Sequence, residues 1–117
     1  MTPLRHRDWK LIASILECGG GTFTALCRWH ERRAVSHMSD DIANLIAHGY
    51  VEVIRPHKPG RHGNPGVFGP SSKAWAWAER IARGEEPDEH GVLSTVVEAL
   101  EMRESEAAAG ARSVGLR

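Results

Sequence analysis

Apolar residues recur at helical spacing along most of the chain. Trp9, Ile12, Ala13 and Leu16, widened by Leu11 and Ile15, predict a helix over about Arg7–Cys18. Asp8 falls in its first turn, where a carboxylate suits the helix dipole. A start at Thr2-Pro3, as cap and first helical residue, is the alternative. Gly19-Gly20-Gly21 ends this helix. Thr22 then reads as an N-cap, and Phe23, Leu26, Cys27 and His30 at i, i+3, i+4 and i+7 predict a short second helix over about Phe23–Glu31. Met38, Ile42, Leu45 and Ile46 predict a third, beginning at Ser36 or at Ser39 and closed by Gly49 as the C′ residue.

The period then changes. Tyr50-Val51-Glu52-Val53-Ile54 is β-branched and partly alternating, as a strand should be. Pro56 to Gly66 is crowded with proline and glycine and reads as a loop. Val67-Phe68 is a short return strand. Pro70-Ser71-Ser72 starts a helix from Lys73 to about Arg83, and Gly84-Glu85-Glu86-Pro87-Asp88 is an acidic linker. Leu93, Val96, Val97 and Leu100 predict a last helix from about Gly91 to Ala109, with the chain beyond it expected to fray.

Composition bounds this picture. A chain of 117 residues with 41% hydrophobic and 26% charged residues suits one packed domain. No apolar run reaches the roughly 20 residues that span a bilayer. The N-terminus lacks a secretory pattern, and Cys18 and Cys27 make no disulfide framework. The expectation is a soluble, cytoplasmic protein with no membrane partner.

Net charge is zero but unevenly placed. Residues 1–83 carry 12 Lys+Arg and 7 Asp+Glu, a balance of +5, and residues 84–117 carry 3 Arg and 8 Asp+Glu, a balance of −5. No acidic residue occurs between Val53 and Ala78, where Arg55, Lys58, Arg61 and Lys73 lie with His57 and His62. Such asymmetry points to a surface that faces a polyanion.

Three stretches carry a resemblance to a known family. They are Thr22-Phe23-Thr24-Ala25-Leu26-Cys27, the run from Ser36-His37-Met38-Ser39 through Leu45-Ile46-Ala47-His48-Gly49-Tyr50-Val51-Glu52, and Val67-Phe68-Gly69-Pro70-Ser71-Ser72-Lys73-Ala74. Together they resemble the winged helix-turn-helix regulators of the MarR and PadR type. The implied fold is mainly α with a small β-hairpin: a winged helix-turn-helix domain over 1–83, an acidic linker at 84–91, a C-terminal helix at 92–109 and a flexible tail at 110–117. One departure is Pro59, which stands where the family usually has an Asp two residues before the arginine at the wing tip, here Arg61.

The function expected is sequence-specific binding of double-stranded DNA by a homodimer that regulates transcription. The third helix would enter the major groove, and the wing would meet phosphates or the minor groove. Ser36, His37, Ser39, Asp40 and Asn44 face away from the apolar stripe. Asn can pair bidentately with adenine, and Asp can accept from cytosine. Arg55, His57, Lys58, Arg61, His62 and Asn64 populate the wing, where a cationic loop suits a narrow minor groove. Arg28, Arg32 and Arg33 would bracket a backbone near the second helix. Protonation of His37, His57 and His62 below neutrality would add positive charge on this side. The dimer interface is expected at Trp77, Leu93, Val96, Val97 and Leu100.

Other chemistries find less support. Gly69-Pro70-Ser71-Ser72-Lys73 lacks the spacing of a phosphate loop, and no nucleophile stands beside a base at helical spacing. No catalytic residue, metal site or cofactor is assigned. Cys27 and His30 share a helix face, and a small-molecule or metal effector remains open. The rival function is a winged-helix module that docks another protein, favoured by Asp40, Asp41 and the zero net charge.

Overall fold

The computed structural model describes residues 2–22, 24–26, 35–56, 58, 60 and 66–115, with backbone alone at 35–37 and 109–115. Among these residues the chain is mainly helical with one two-stranded antiparallel hairpin. The elements are α1 (His6–Cys18), α2 (Val35–Ala47), β1 (Val51–Arg55), β2 (Val67–Pro70), α3 (Ser72–Ala82) and α4 (Leu93–Gly115).

Each boundary has a local cause. The Asp8 carboxylate accepts the Arg5 N–H at 2.8 Å and so satisfies a donor at the start of α1. Thr2-Pro3 does not begin this helix. Gly19 ends it with φ +80°, donating its N–H to the Ile15 carbonyl at 2.9 Å. Thr22 caps a helical turn at 24–26, as expected: its Oγ1 accepts from the Ala25 N–H at 3.2 Å, and its carbonyl accepts from Leu26 at 2.9 Å. The rest of the predicted second helix lies outside the described residues.

α2 ends in a Schellman arrangement. Gly49, at φ +85°, donates to the Ile46 carbonyl at 2.9 Å, and Tyr50 donates to Leu45 at 3.0 Å. Ser71 caps α3 by accepting the Ala74 N–H at 3.3 Å, while its hydroxyl donates to the Gly49 carbonyl. One serine thus starts one helix and closes another. Asp88 starts α4, its carboxylate accepting from Val92 at 2.8 Å and Leu93 at 3.1 Å. α4 then runs to Gly115, beyond both Ala109 and the start of the tail expected at 110–117. Ala107, Ala108 and Ala109 are the strongest helix formers and carry the helix past the last apolar turn.

The hairpin pairs Val51 with Pro70, Glu52 with Gly69, Val53 with Phe68 and Arg55 with Val67, leaving Ile54 as a bulge. The core gathers Leu11, Ile12, Ile15 and Leu16 of α1, Met38, Ile42 and Leu45 of α2, Val51 and Phe68 of the hairpin, Ala74, Trp77, Ala78 and Ile81 of α3, and Val96 and Ala99 of α4. α4 packs against both α1 and α3.

Candidate nucleic-acid interface

The sequence places the α2 helix and a cationic hairpin next to each other in the chain. The structure shows how they are joined. α2 feeds β1 through His48, Gly49 and Tyr50, and the two elements are in contact. The C-terminal carbonyls of α2 are satisfied from α3: Lys73 Nζ donates to the His48 carbonyl at 2.8 Å and lies 4.6 Å from the centre of the Tyr50 ring. Lys73, counted with the basic stretch, is therefore a structural cation bracing the turn between α2 and β1.

The hairpin gains a third partner that sequence reasoning missed. Gly21 and Phe68 exchange backbone hydrogen bonds, at 2.8 Å from the Gly21 N–H and 2.9 Å from the Phe68 N–H. The segment after α1 thus lies along β2 on the side away from β1. Gly20 makes that approach possible. It sits at φ +101°, and a Cβ there would collide with the Phe68 carbonyl oxygen and come within 2.8 Å of Gly69 Cα. The triple glycine, read as a helix stop, is also the seat of a strand pairing.

On α2, Ser39 is half-buried and Asp40 exposed. Ser36 and His37 lie in its first turn, with backbone alone described. Asp41 does not share the outer face. It is buried and receives Arg7 of α1, with Nη2 3.7 Å from Oδ1. Of the two acids in this helix, only Asp40 is on the open side.

Asn44 departs most from its expected role. Its Oδ1 accepts the Thr2 N–H at 2.9 Å, and its Nδ2 donates to the Thr2 carbonyl at 3.0 Å. His48 Nε2 reaches the same carbonyl at 2.7 Å. Both ends of the Asn44 amide are therefore occupied by the N-terminal arm. No sequence pattern marks this pairing.

In the hairpin, Arg55 ends β1 exposed, and Lys58 stands exposed beyond it. Val53 and Ile54 are also open, at 47% and 58% exposure. Arg28, Arg32, Arg33, His57, Arg61, His62 and Asn64 lie outside the described residues, as do Cys27 and His30.

The interface residues need correction. Trp77 and Val96 are buried within the chain, at 2% and 0% exposure. In the sequence, a tryptophan and an apolar stripe on a terminal helix both suggest a partner surface. The cover is internal: the loop after α3 turns the chain back, and α4 lays its stripe on α1 and α3. Leu100 packs half-buried against this core, Val97 is half-buried, and Leu93 is exposed. The second tryptophan of the pair, Trp75, is covered by Arg103 of α4, whose guanidinium lies 4.5 Å from its ring centre.

Burial pushes the Tyr50 phenol up. Burial likewise pushes the Cys18 thiol up, against smaller opposing effects from backbone hydrogen bonds. Among the described residues, no three His, Cys, Asp or Glu side chains are grouped to hold a metal ion, and no helix is long and apolar enough to cross a membrane. No family model matches the chain, and neither a curated protein nor a solved structure does.

Proposed function

We propose that this protein binds double-stranded DNA as a winged helix-turn-helix regulator, with α2 in the major groove and the hairpin tip on phosphates or in the minor groove. One observation carries the reading. α2 passes through a three-residue turn into a hairpin that exposes the cations Arg55 and Lys58, and the sequence from Val53 to Ala78 holds no acid. The element order supports it. Affinity comes chiefly from Lys and Arg contacts to phosphate, with release of counterions. Base reading falls to Ser36, His37 and Ser39, joined by Asn44 once Thr2 is displaced. A homodimer on a two-fold site remains part of this proposal, with Leu93 rather than Val96 or Trp77 available to it.

A second reading has its own observation. Val53 and Ile54 expose apolar surface on β1 beside Glu52, as a docking hairpin for another protein would. Retardation of a mixed-sequence duplex at low salt separates the two. The DNA reading expects a shifted band that fades as salt rises, and no shift at any protein concentration would favour the docking module.

A further inference from the structure

Outside the wing, the cations at the start of α1 stand apart. Arg5, Arg7 and Lys10 are exposed. Over residues 2–16 the sequence holds a single acid, Asp8, which is buried and accepts the Arg5 N–H. The side chains of Arg5 and Arg7 are 54% and 53% exposed. Arg5 Nε lies 3.6 Å from Asp8, and Arg7 Nη2 lies 3.7 Å from Asp41. Both separations exceed a hydrogen bond. Each carboxylate therefore holds its arginine in place by charge, while N–H groups of the guanidinium are left for solvent or an anion.

The partner of Arg7 fixes where this patch sits. Residues 41, 44 and 48 fall at i, i+3 and i+7, and so share one flank of α2 and its C-terminal turn. Asp41 meets Arg7, and Asn44 and His48 both contact the Thr2 backbone. Residues 2–7 thus run along this flank, from the end of α2 back to its middle. The neighbouring outer face carries Asp40, Ala43 and Ala47, all exposed. Lys10 stands about one turn beyond Arg7 on the same side of α1.

The dimensions of a duplex give this placement its meaning. An α-helix with its side chains is about 10–12 Å across, and the major groove of B-DNA is about 12 Å wide. A helix lying in the groove therefore has a sugar–phosphate strand along each flank. A cation fixed to a flank meets phosphate rather than a base edge. The arginines of α3 and α4 lack this setting. Arg80 pairs with Glu86 at 3.5 Å, Arg83 lies 3.8 Å from Glu79, and Arg103 covers Trp75. Exposed Glu98, Glu101, Glu104 and Glu106 share α4 with Arg103.

We propose that the start of α1, through Arg5, Arg7 and Lys10, is a second phosphate-binding surface, seated on the DNA strand that borders the 41/44/48 flank of α2. The surface rests on the DNA reading above. The wing supplies cations past the C-terminal end of α2, and α1 supplies them beside its middle. Asp41 acts as a positioning residue that keeps Arg7 against α2.

The test is binding of a mixed-sequence duplex by the full-length protein across a salt series, read by fluorescence anisotropy. Arg7→Gln with Lys10→Gln should bind several-fold more weakly at low salt. Its slope of log affinity against log salt should be shallower by about 1.8 if each residue meets one phosphate. Arg83→Gln with Arg103→Gln removes the same charge from the α3 and α4 side and should leave the slope unchanged. Thermal melting checks each fold. If the loss of Arg7 unfolds the protein, Lys10→Gln alone carries the test, with an expected change of about 0.9. Unchanged affinity and slope in the Arg7 and Lys10 variant, or an equal change in the Arg83 and Arg103 variant, would overturn the proposal and leave the wing as the phosphate contact. No binding by the wild type at any salt would instead remove the DNA reading, and this surface with it.

Discussion

Asn44 grips the backbone of Thr2 at both ends, its amide accepting one hydrogen bond at 2.9 Å and donating another at 3.0 Å. A peptide N–H and C=O presented in this way offer the same donor and acceptor pair as the major-groove edge of adenine. The arm and a base would therefore compete for one amide. Removing Thr2 and Pro3 is expected to tighten binding to a preferred duplex by up to about tenfold, the worth of one to two exposed hydrogen bonds. In an Asn44→Ala background the same truncation should change nothing. Fluorescence anisotropy on the four proteins checks this. Weaker binding after truncation would mean that the arm helps to hold DNA.

Gly20 is expected to be among the least replaceable residues near the hairpin. Gly20→Ala combines a positive φ with a collision against the Phe68 carbonyl, and should cost about 1–3 kcal/mol or abolish the Gly21–Phe68 pairing. Gly49→Ala is the comparison. It shares the left-handed backbone, but a Cβ there meets only Lys73 Cδ, at an ordinary 3.5 Å, so its cost should be about 1–2 kcal/mol. Urea denaturation of both variants ranks them. Equal costs would remove the close approach from the account.

Trp77 and Val96 belong to the interior of a single chain. Trp77→Ala should destabilise by about 3–5 kcal/mol, and the loss should not depend on protein concentration. Residues at an obligate dimer interface would instead show a midpoint that rises with concentration. Denaturation across a hundredfold dilution distinguishes the two.

Tyr50 gives the fold an alkaline limit. Burial holds its phenol above the usual 10.0, so the folded state binds the proton more tightly than the unfolded state does. Its contribution is complete below that value and is lost as pH rises through it toward the folded value. The melting temperature should fall more steeply above about pH 10 in the wild type than in Tyr50→Phe. Parallel curves would assign the alkaline loss to other groups.

Features decided within a few residues were legible in the sequence. Gly49 as a C′ residue, Thr22 as an N-cap, the Ser71 start and the turn-rich loop follow from backbone chemistry that acts locally. What escaped was the choice of partner across the chain. Periodicity located the stripe of α4 but not the α1 and α3 surfaces that cover it. Nothing local in the sequence announces that Arg7 of α1 meets Asp41 of α2. Lys73 read as a free charge because its acceptor, the His48 carbonyl, becomes available only when α2 ends against α3. The bond between Thr2 and Asn44 joins residues 42 positions apart and has no signature in either.

The proposed DNA surface is tested most directly by the salt dependence of duplex binding, measured for the wild type and for Lys58→Ala with Arg61→Ala. Each phosphate contact contributes about 0.9 to the slope of log affinity against log salt. The double variant should bind more weakly at low salt, with a slope shallower by about 1.8 if each residue meets one phosphate. Affinity and slope both equal to those of the wild type would contradict a DNA-contacting wing.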